Sequence, residues 1–316
     1  MNVAVVDLGT NTCRLFLAEV REDGHVTTVE RRTTVVRLGQ GVDVNRRLQP
    51  QAIRRTRACL REYAPRLEAF GPARRLLVAT SVLRDALDGP AFLAAVARDF
   101  GLPSRVLAGE EEAALAFRGG TAGLDDRCAG PLVLIDIGGG STEFAVGDPG
   151  RAPTYVCSLD IGAVRLTERF IRHDPPTPAE IGDLGVFVAA AIARGVPATV
   201  RGAACAAVGV AGTYTTLAAY RLALRTYRPE LVHGHVLSLA DIEAAIGRFA
   251  TLTSAERGVL PGIQPGREDV ILAGAVIAAE ACLAFGLAEV RCSEADLLEG
   301  VALALADGLF AASREG

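Results

Sequence analysis

Val3-Ala4-Val5-Val6-Asp7-Leu8-Gly9-Thr10-Asn11-Thr12-Cys13-Arg14-Leu15-Phe16 can be laid without a gap on Leu132-Val133-Leu134-Ile135-Asp136-Ile137-Gly138-Gly139-Gly140-Ser141-Thr142-Glu143-Phe144-Ala145, 129 residues further along. In both stretches apolar β-forming residues lead into Asp-x-Gly, a small polar turn and a second apolar run. That pattern reads as a strand, a tight turn and an antiparallel return strand. One copy in each half, at so long a spacing, predicts two similar domains and not a solenoid.

The sequence around these hairpins extends the scheme. After the first come a predicted strand over 26–36, a helix over 50–70, a strand over 75–80, a helix over 90–100 and a short strand over 105–107. A helix over 110–118 links the lobes, and 121–130 reads as a loop, with a hinge expected near 119–130. The second half repeats the order and adds Val208-Gly209-Val210-Ala211-Gly212-Thr213, a strand running into a helix. The sequence then turns helical over 240–249, 254–259, 269–285 and 294–309. Alternating strands and helices give an α/β class. The expected domains are an N-terminal lobe, 1–122, and a C-terminal lobe with added helices, 123–316, with the last helix (about 300–313) packing back on the first lobe.

Composition narrows the chemistry. The 316 residues are 50% hydrophobic and 22% charged, which suits two globular domains. All 33 basic residues are Arg. A Walker-A lysine, a Schiff base and a pyridoxal-phosphate lysine are therefore excluded. Seven Cys with no C-x-x-C read as reduced thiols, not a disulfide frame or zinc site. No leader segment is apparent, and the longest apolar runs are too short to span a bilayer, so a soluble cytoplasmic protein without membrane partners is expected. Residues 1–108 hold 17 Arg against 11 acids, and the remainder 16 against 26. The basic half reads either as a solvated helix face or as a surface that steers a polyanion. Aromatics at 5%, with no Trp, disfavour nucleic acid as a partner.

Each hairpin turn is equipped for phosphate. Gly138-Gly139-Gly140-Ser141-Thr142 lets backbone N–H groups approach an anion without Cβ obstruction, and its hydroxyls add donors. Gly9-Thr10-Asn11-Thr12 offers the matching group. Gly212-Thr213, at a strand–helix junction, gives a third anion site. The dinucleotide pattern G-x-G-x-x-G fails because Glu143 stands at its last position. Asp136 and Glu143 flank the second turn, and two acids beside phosphate call for a hard cation such as Mg²⁺ or Mn²⁺. Asp7 is the mate of Asp136 and a third candidate metal ligand, although an Asp there can also be a simple turn cap. Arg14 is the mate of Glu143, a cation where the other lobe has an acid, and a candidate phosphate ligand. From spacing alone Glu110, Glu111 and Glu112 read as helix-dipole partners, and Arg84 as a phosphate clamp or a surface ion pair. His233 and His235 read as loop residues, not ligands.

Together with Ala79-Thr80-Ser81-Val82-Leu83-Arg84-Asp85-Ala86, Glu110-Glu111-Glu112-Ala113, Ser158 to Leu166, Gly209 to Thr213 and Pro261-Gly262…Arg267-Glu268-Asp269-Val270-Ile271, the two hairpins cover nearly the whole chain in order. In these segments the sequence resembles the exopolyphosphatase / guanosine pentaphosphate phosphohydrolase (Ppx/GppA) family, of the actin, sugar-kinase and Hsp70 superfamily. The resemblance implies two RNase-H-like (actin-like ATPase) lobes with an interlobe cleft. It implies hydrolysis of a terminal phosphoanhydride in inorganic polyphosphate or, as the alternative, guanosine pentaphosphate (pppGpp). It places Glu112 at the general base, Asp136 and Glu143 at carboxylates that position metal or water, and Arg84 at a phosphate-binding arginine. The chain matches the short form, without a further C-terminal region. Asp160 departs from the uncharged residue expected at its position.

A superfamily kinase and a non-catalytic sensor of polyphosphate or (p)ppGpp are the competing classes. No adenosine or sugar pocket is recognisable, which disfavours the kinase, and Glu112, Asp136 and Glu143 together disfavour the sensor. A homodimer is expected from the apolar C-terminal helices and family habit.

Overall fold

The computed structural model describes residues 1–123 and 130–310. The chain divides into two compact units, Met1–Leu115 with Leu297–Gly316, and Ala116–Asp296.

In the first unit, β1 (Asn2–Leu8), β2 (Thr12–Val20) and β3 (Val26–Val35) form an antiparallel meander. A single turn, α1 (Val42–Asn45), and the long helix α2 (Pro50–Phe70) follow. Pro50 opens α2, where its missing N–H costs nothing, and Gly71 closes it with a left-handed φ of 58°. Then come β4 (Arg74–Ala79), α3 (Ser81–Asp85), α4 (Gly89–Phe100), β5 (Ser104–Val106) and α5 (Gly109–Gly120). The sheet order is β3-β2-β1-β4-β5, with β4 and β5 parallel to β1. β1 lies at its centre and is buried from Val3 to Leu8, as a continuous apolar run requires.

In the second unit β6 (Leu132–Ile137), β7 (Thr142–Gly147) and β8 (Tyr155–Leu159) repeat the meander. Helices α6 (Ala163–Phe170), α7 (Pro178–Gly195) and α8 (Ala198–Arg201) lead to β9 (Ala206–Val210) and α9 (Ala211–Arg221). The start of α7 is a capping box, in which the Thr177 hydroxyl accepts from the Glu180 N–H and Glu180 accepts from the Thr177 N–H. Beyond lie α10 (Pro229–Val232), β10 (Val236–Ser238), α11 (Leu239–Ala250), α12 (Ser254–Gly258), α13 (Ile271–Phe285) and β11 (Glu289–Cys292). The order β10-β11-β9-β6-β7-β8 maps strand for strand on the first sheet, β8, β7, β6, β9 and β11 answering β3, β2, β1, β4 and β5. The α/β class and the duplicated RNase-H-like sheet are both present. Beyond Thr213, where the sequence predicts only helices, the structure adds β10 ahead of the first of them and β11 between the last two.

Helix α13 is buried along most of its length among α6, α7, α9 and α11. The last helix, α14 (Leu297–Ala306), packs in the first unit against β1. A Cβ on Gly300 would stand 1.9 Å from the Leu115 carbonyl oxygen, so the two helices meet backbone to backbone there. Arg31 pairs with Glu299, and Arg74 donates to the Leu305 carbonyl, fixing α14 further. These apolar helices spend most of their apolar surface inside the units, which removes the sequence argument for a homodimer built on them. Part of the N-terminal Arg excess is likewise committed locally, Arg57 to Asp99 and Arg66 to Glu30.

Cys13, Cys59, Cys157, Cys282 and Cys292 are free thiols. Cys205 is disulfide-bonded, which corrects the reading of all seven as reduced. Among the described residues no helix is long and apolar enough to cross a membrane. Much of the expected hinge segment, 119–130, lies outside the described residues.

Candidate functional site

In the first unit the turn between β1 and β2 is closed by the Gly9 N–H, which donates to the Thr12 carbonyl at 2.9 Å. Asp7 and Arg14 are directly opposite one another across the two strands. Directly opposed residues on neighbouring strands share a face, and Arg14 Nε donates to Asp7 Oδ2 at 2.8 Å. The candidate metal ligand and the candidate phosphate ligand of this turn thus hold each other. Thr10 is buried, and its hydroxyl lies 3.1 Å from that of Ser81. Its carbonyl accepts from Gly39 N–H at 2.8 Å, and the Asn11 carbonyl accepts from Val36 and Arg37 N–H at 2.9 and 2.8 Å.

The second turn repeats this with other side chains. Gly138 N–H donates to the Ser141 carbonyl at 3.0 Å. Asp136 and Glu143 are directly opposed, as Asp7 and Arg14 are, and Ser158 stands opposite Glu143 on the next strand. Both acids are buried, and Glu143 Oε1 accepts from Ser158 Oγ at 2.7 Å. An ion pair in one unit is therefore answered by an acid pair in the other. Two carboxylates with a hydroxyl beside them are the all-oxygen donor type that hard divalent cations take. Among the described residues no third His, Cys, Asp or Glu completes a cluster with them. The Thr142 hydroxyl, expected to face phosphate, donates to the Ile161 carbonyl.

The third turn joins β9 to α9. Ala211 adopts a left-handed φ of 63°, an uncommon conformation for a residue with a Cβ, and it swings the chain abruptly into the helix. At Gly212, which follows, a Cβ would stand 1.4 Å from Nη1 of Arg267, so a side chain there would require the guanidinium to move. The Arg267 guanidinium thus lies directly on this turn, steadied by its Nε donating to Gln264 Oε1 at 3.1 Å. The Thr213 hydroxyl donates to the Ile137 carbonyl at 3.3 Å, tying this turn to the end of β6. Reading the sequence alone gives Arg267 no role. The signal for it is the glycine at 212, but the partner is 55 positions away and only the fold pairs them.

Glu112 lies in the first turn of α5 and is 6% exposed. Arg84, at the end of α3, donates from Nη1 to Glu112 Oε2 at 2.7 Å and to the Leu107 carbonyl at 2.8 Å. In the structure Arg84 is thus the partner of Glu112, where the sequence left a choice between a phosphate clamp and a surface pair. Burial lifts the Glu112 carboxyl to about 7, against the opposing pull of Arg84. A carboxyl so placed exchanges a proton near neutral pH, as a general base must. Glu110 and Glu111 precede it in the same turn, and Glu111 pairs with Arg105. His233 Nδ1 accepts from the Glu294 N–H and belongs to no metal cluster among the described residues.

Comparison with known proteins bears on the family and the fold. The Ppx/GppA phosphatase family matches residues 18–308. The chain is 38% identical to "Exopolyphosphatase 2" of Mycobacterium tuberculosis, over 96% of this chain and 98% of that protein. Among solved structures, an exopolyphosphatase-like protein superposes with a TM-score of 0.90 at 34% identity, covering 98% of this chain and all of that one. The Ppx/GppA family member from Aquifex aeolicus superposes with a TM-score of 0.81 at 32% identity, over 98% of this chain and 99% of the other. With paired turns, duplicated sheets and whole-length similarity all in agreement, the chain belongs to the Ppx/GppA phosphatase family.

Proposed function

We propose that the protein is an exopolyphosphatase, releasing the terminal phosphate of inorganic polyphosphate by attack of water. The observation that carries this reading is the buried Glu112, clamped through one oxygen by Arg84 and poised near neutral pH. With Oε2 occupied, the other carboxylate oxygen takes the proton from the attacking water. The water oxygen bonds to the terminal phosphorus, the bridging P–O bond breaks, and its electron pair leaves with the shortened chain. In the first unit the turn at Gly9–Thr12 offers backbone amides to phosphate oxygens; in the second the turns at Gly138–Thr142 and Gly212–Thr213 do so, and Arg267 adds positive charge over the last of them. Asp136 and Glu143 would hold a divalent cation, with Mg²⁺ or Mn²⁺ our choice. Such an ion would neutralise phosphate charge and polarise the reacting phosphoryl group. Arg14 steadies Asp7 and completes the first turn.

Phosphate release measured side by side on polyphosphate and pppGpp tests the reading. Release from polyphosphate is expected. Release from pppGpp alone would move the assignment to the guanosine pentaphosphate phosphohydrolase of the same family. Binding without turnover on either substrate, across divalent metals, would make the protein a sensor.

The pH profile carries a separate prediction. Glu112 must be deprotonated to act, so kcat/KM is expected to rise with pH through a single step near 7. Arg84 favours the charged carboxylate, and Arg84→Met is therefore expected to move that step upward. An unmoved acid limb in the variant would show that the step belongs to another group.

A further inference from the structure

A phosphate-binding turn must present N–H groups to the anion and keep its carbonyl oxygens away from it. In the second unit the three glycine carbonyls of the turn are each taken. Ala163 N–H donates to the Gly138 carbonyl at 2.9 Å, and Val164 and Arg165 N–H donate to that of Gly139 at 2.9 and 3.1 Å. The Gly140 carbonyl accepts from a side chain, Arg165 Nε, at 2.7 Å. In the first unit the Thr10 carbonyl accepts from the backbone N–H of Gly39, and that of Asn11 from those of Val36 and Arg37. In the second turn a side-chain donor thus joins the backbone ones, at the carbonyl nearest Ser141.

We infer that Arg165 is a positioning residue of the second phosphate turn, holding the Gly140 carbonyl back and placing a guanidinium behind the amides that meet phosphate. The inference rests on the hydrolase reading above. The side chain is 14% exposed, so the bond is little diluted by water. Its contact with Asp160 is loose, 3.9 Å to a carboxylate that is 81% exposed. Asp160 therefore adds little to the placement of Arg165. Without Nε–H the Gly140 carbonyl loses its donor and is free to rotate towards the anion, where it repels phosphate oxygens. The consequence falls on binding, since water activation resides on Glu112.

The test measures tripolyphosphate hydrolysis by wild type, Arg165→Met and Arg165→Lys, and tripolyphosphate binding by calorimetry. Loss of one charge-assisted hydrogen bond is expected to raise KM and Kd about 10-fold or more in Arg165→Met. kcat is expected to change by less than about 3-fold, since the removed contact serves binding and not proton transfer. Arg165→Lys is expected to recover part of the affinity, and added ethylguanidinium to restore Arg165→Met. Unchanged KM and Kd in Arg165→Met, with an active wild type, would overturn the inference and leave the proposed function standing. A joint fall in kcat and melting temperature without rescue would make Arg165 a folding residue only and also overturn it. A wild type that neither binds nor cleaves tripolyphosphate would overturn the inference and the hydrolase reading together.

Discussion

Replacing Glu112 by Gln should lower kcat on polyphosphate by about three orders of magnitude, the middle of the range for removal of a general base, and leave KM within a few-fold of wild type. Gln keeps the length of the side chain and an oxygen that can accept from Arg84, but it takes no proton from water. The step near pH 7 should vanish from the residual activity. The same change has a signature in stability. Folding raises the Glu112 carboxyl above its ordinary value, so the folded state holds this proton more tightly than the unfolded chain does. The contribution to stability is present below the ordinary carboxyl range and is lost as pH rises to about 7. Denaturant midpoints across that window should fall less steeply in Glu112→Gln than in wild type. Turnover close to wild type in the variant would remove Glu112 from the chemistry.

Gly162→Ala should be nearly as damaging by a different route. Its φ of −109° suits any residue, so the backbone is not the obstacle. The obstacle is space: a Cβ there would lie 2.4 Å from the carbonyl carbon and oxygen of Gly139 and from the carbonyl carbon of Gly140. Those atoms are backbone and must move as a piece, carrying with them the amides proposed to hold phosphate. Displacement on the order of 1 Å at such a centre costs about 100-fold in rate, and overpacking of this kind about 1–3 kcal/mol in stability. Phosphate release and thermal melts of Gly162→Ala check both. Gly247→Ala in α11, where a Cβ would meet nothing within 4 Å, is the control. A Gly162→Ala protein with full activity would mean that the turn does not meet the substrate.

The hairpins were readable because strand pairing converts sequence offset directly into geometry. The ungapped shift that sets Asp7 on Asp136 also sets Arg14 on Glu143, and both pairs are opposed across their strands. Helix α2 was readable because Pro50 and Gly71 punctuate it. β11 was not: four residues between two strongly apolar helices carry too little period to stand out, and their pairing with β9 is a long-range event. The hydroxyls misled for a related reason. Thr142 and Thr213 have the right chemistry and the right spacing, but buried hydroxyls must find acceptors, and the nearest are the Ile161 and Ile137 carbonyls. Arg84, Arg165 and Arg267 look alike in sequence. Only their partners, Glu112, the Gly140 carbonyl and the turn at Gly212, tell them apart.

The division of the chain has a consequence for biosynthesis. The second unit is one unbroken segment, whereas the first is built from two pieces that flank it. On a ribosome the inserted unit can finish folding while the earlier sheet still lacks the helix that covers β1. At ~5–20 residues per second that wait lasts on the order of 10–40 s. Apolar surface exposed for so long is a natural client for a nascent-chain chaperone, and recombinant yield should respond to translation speed.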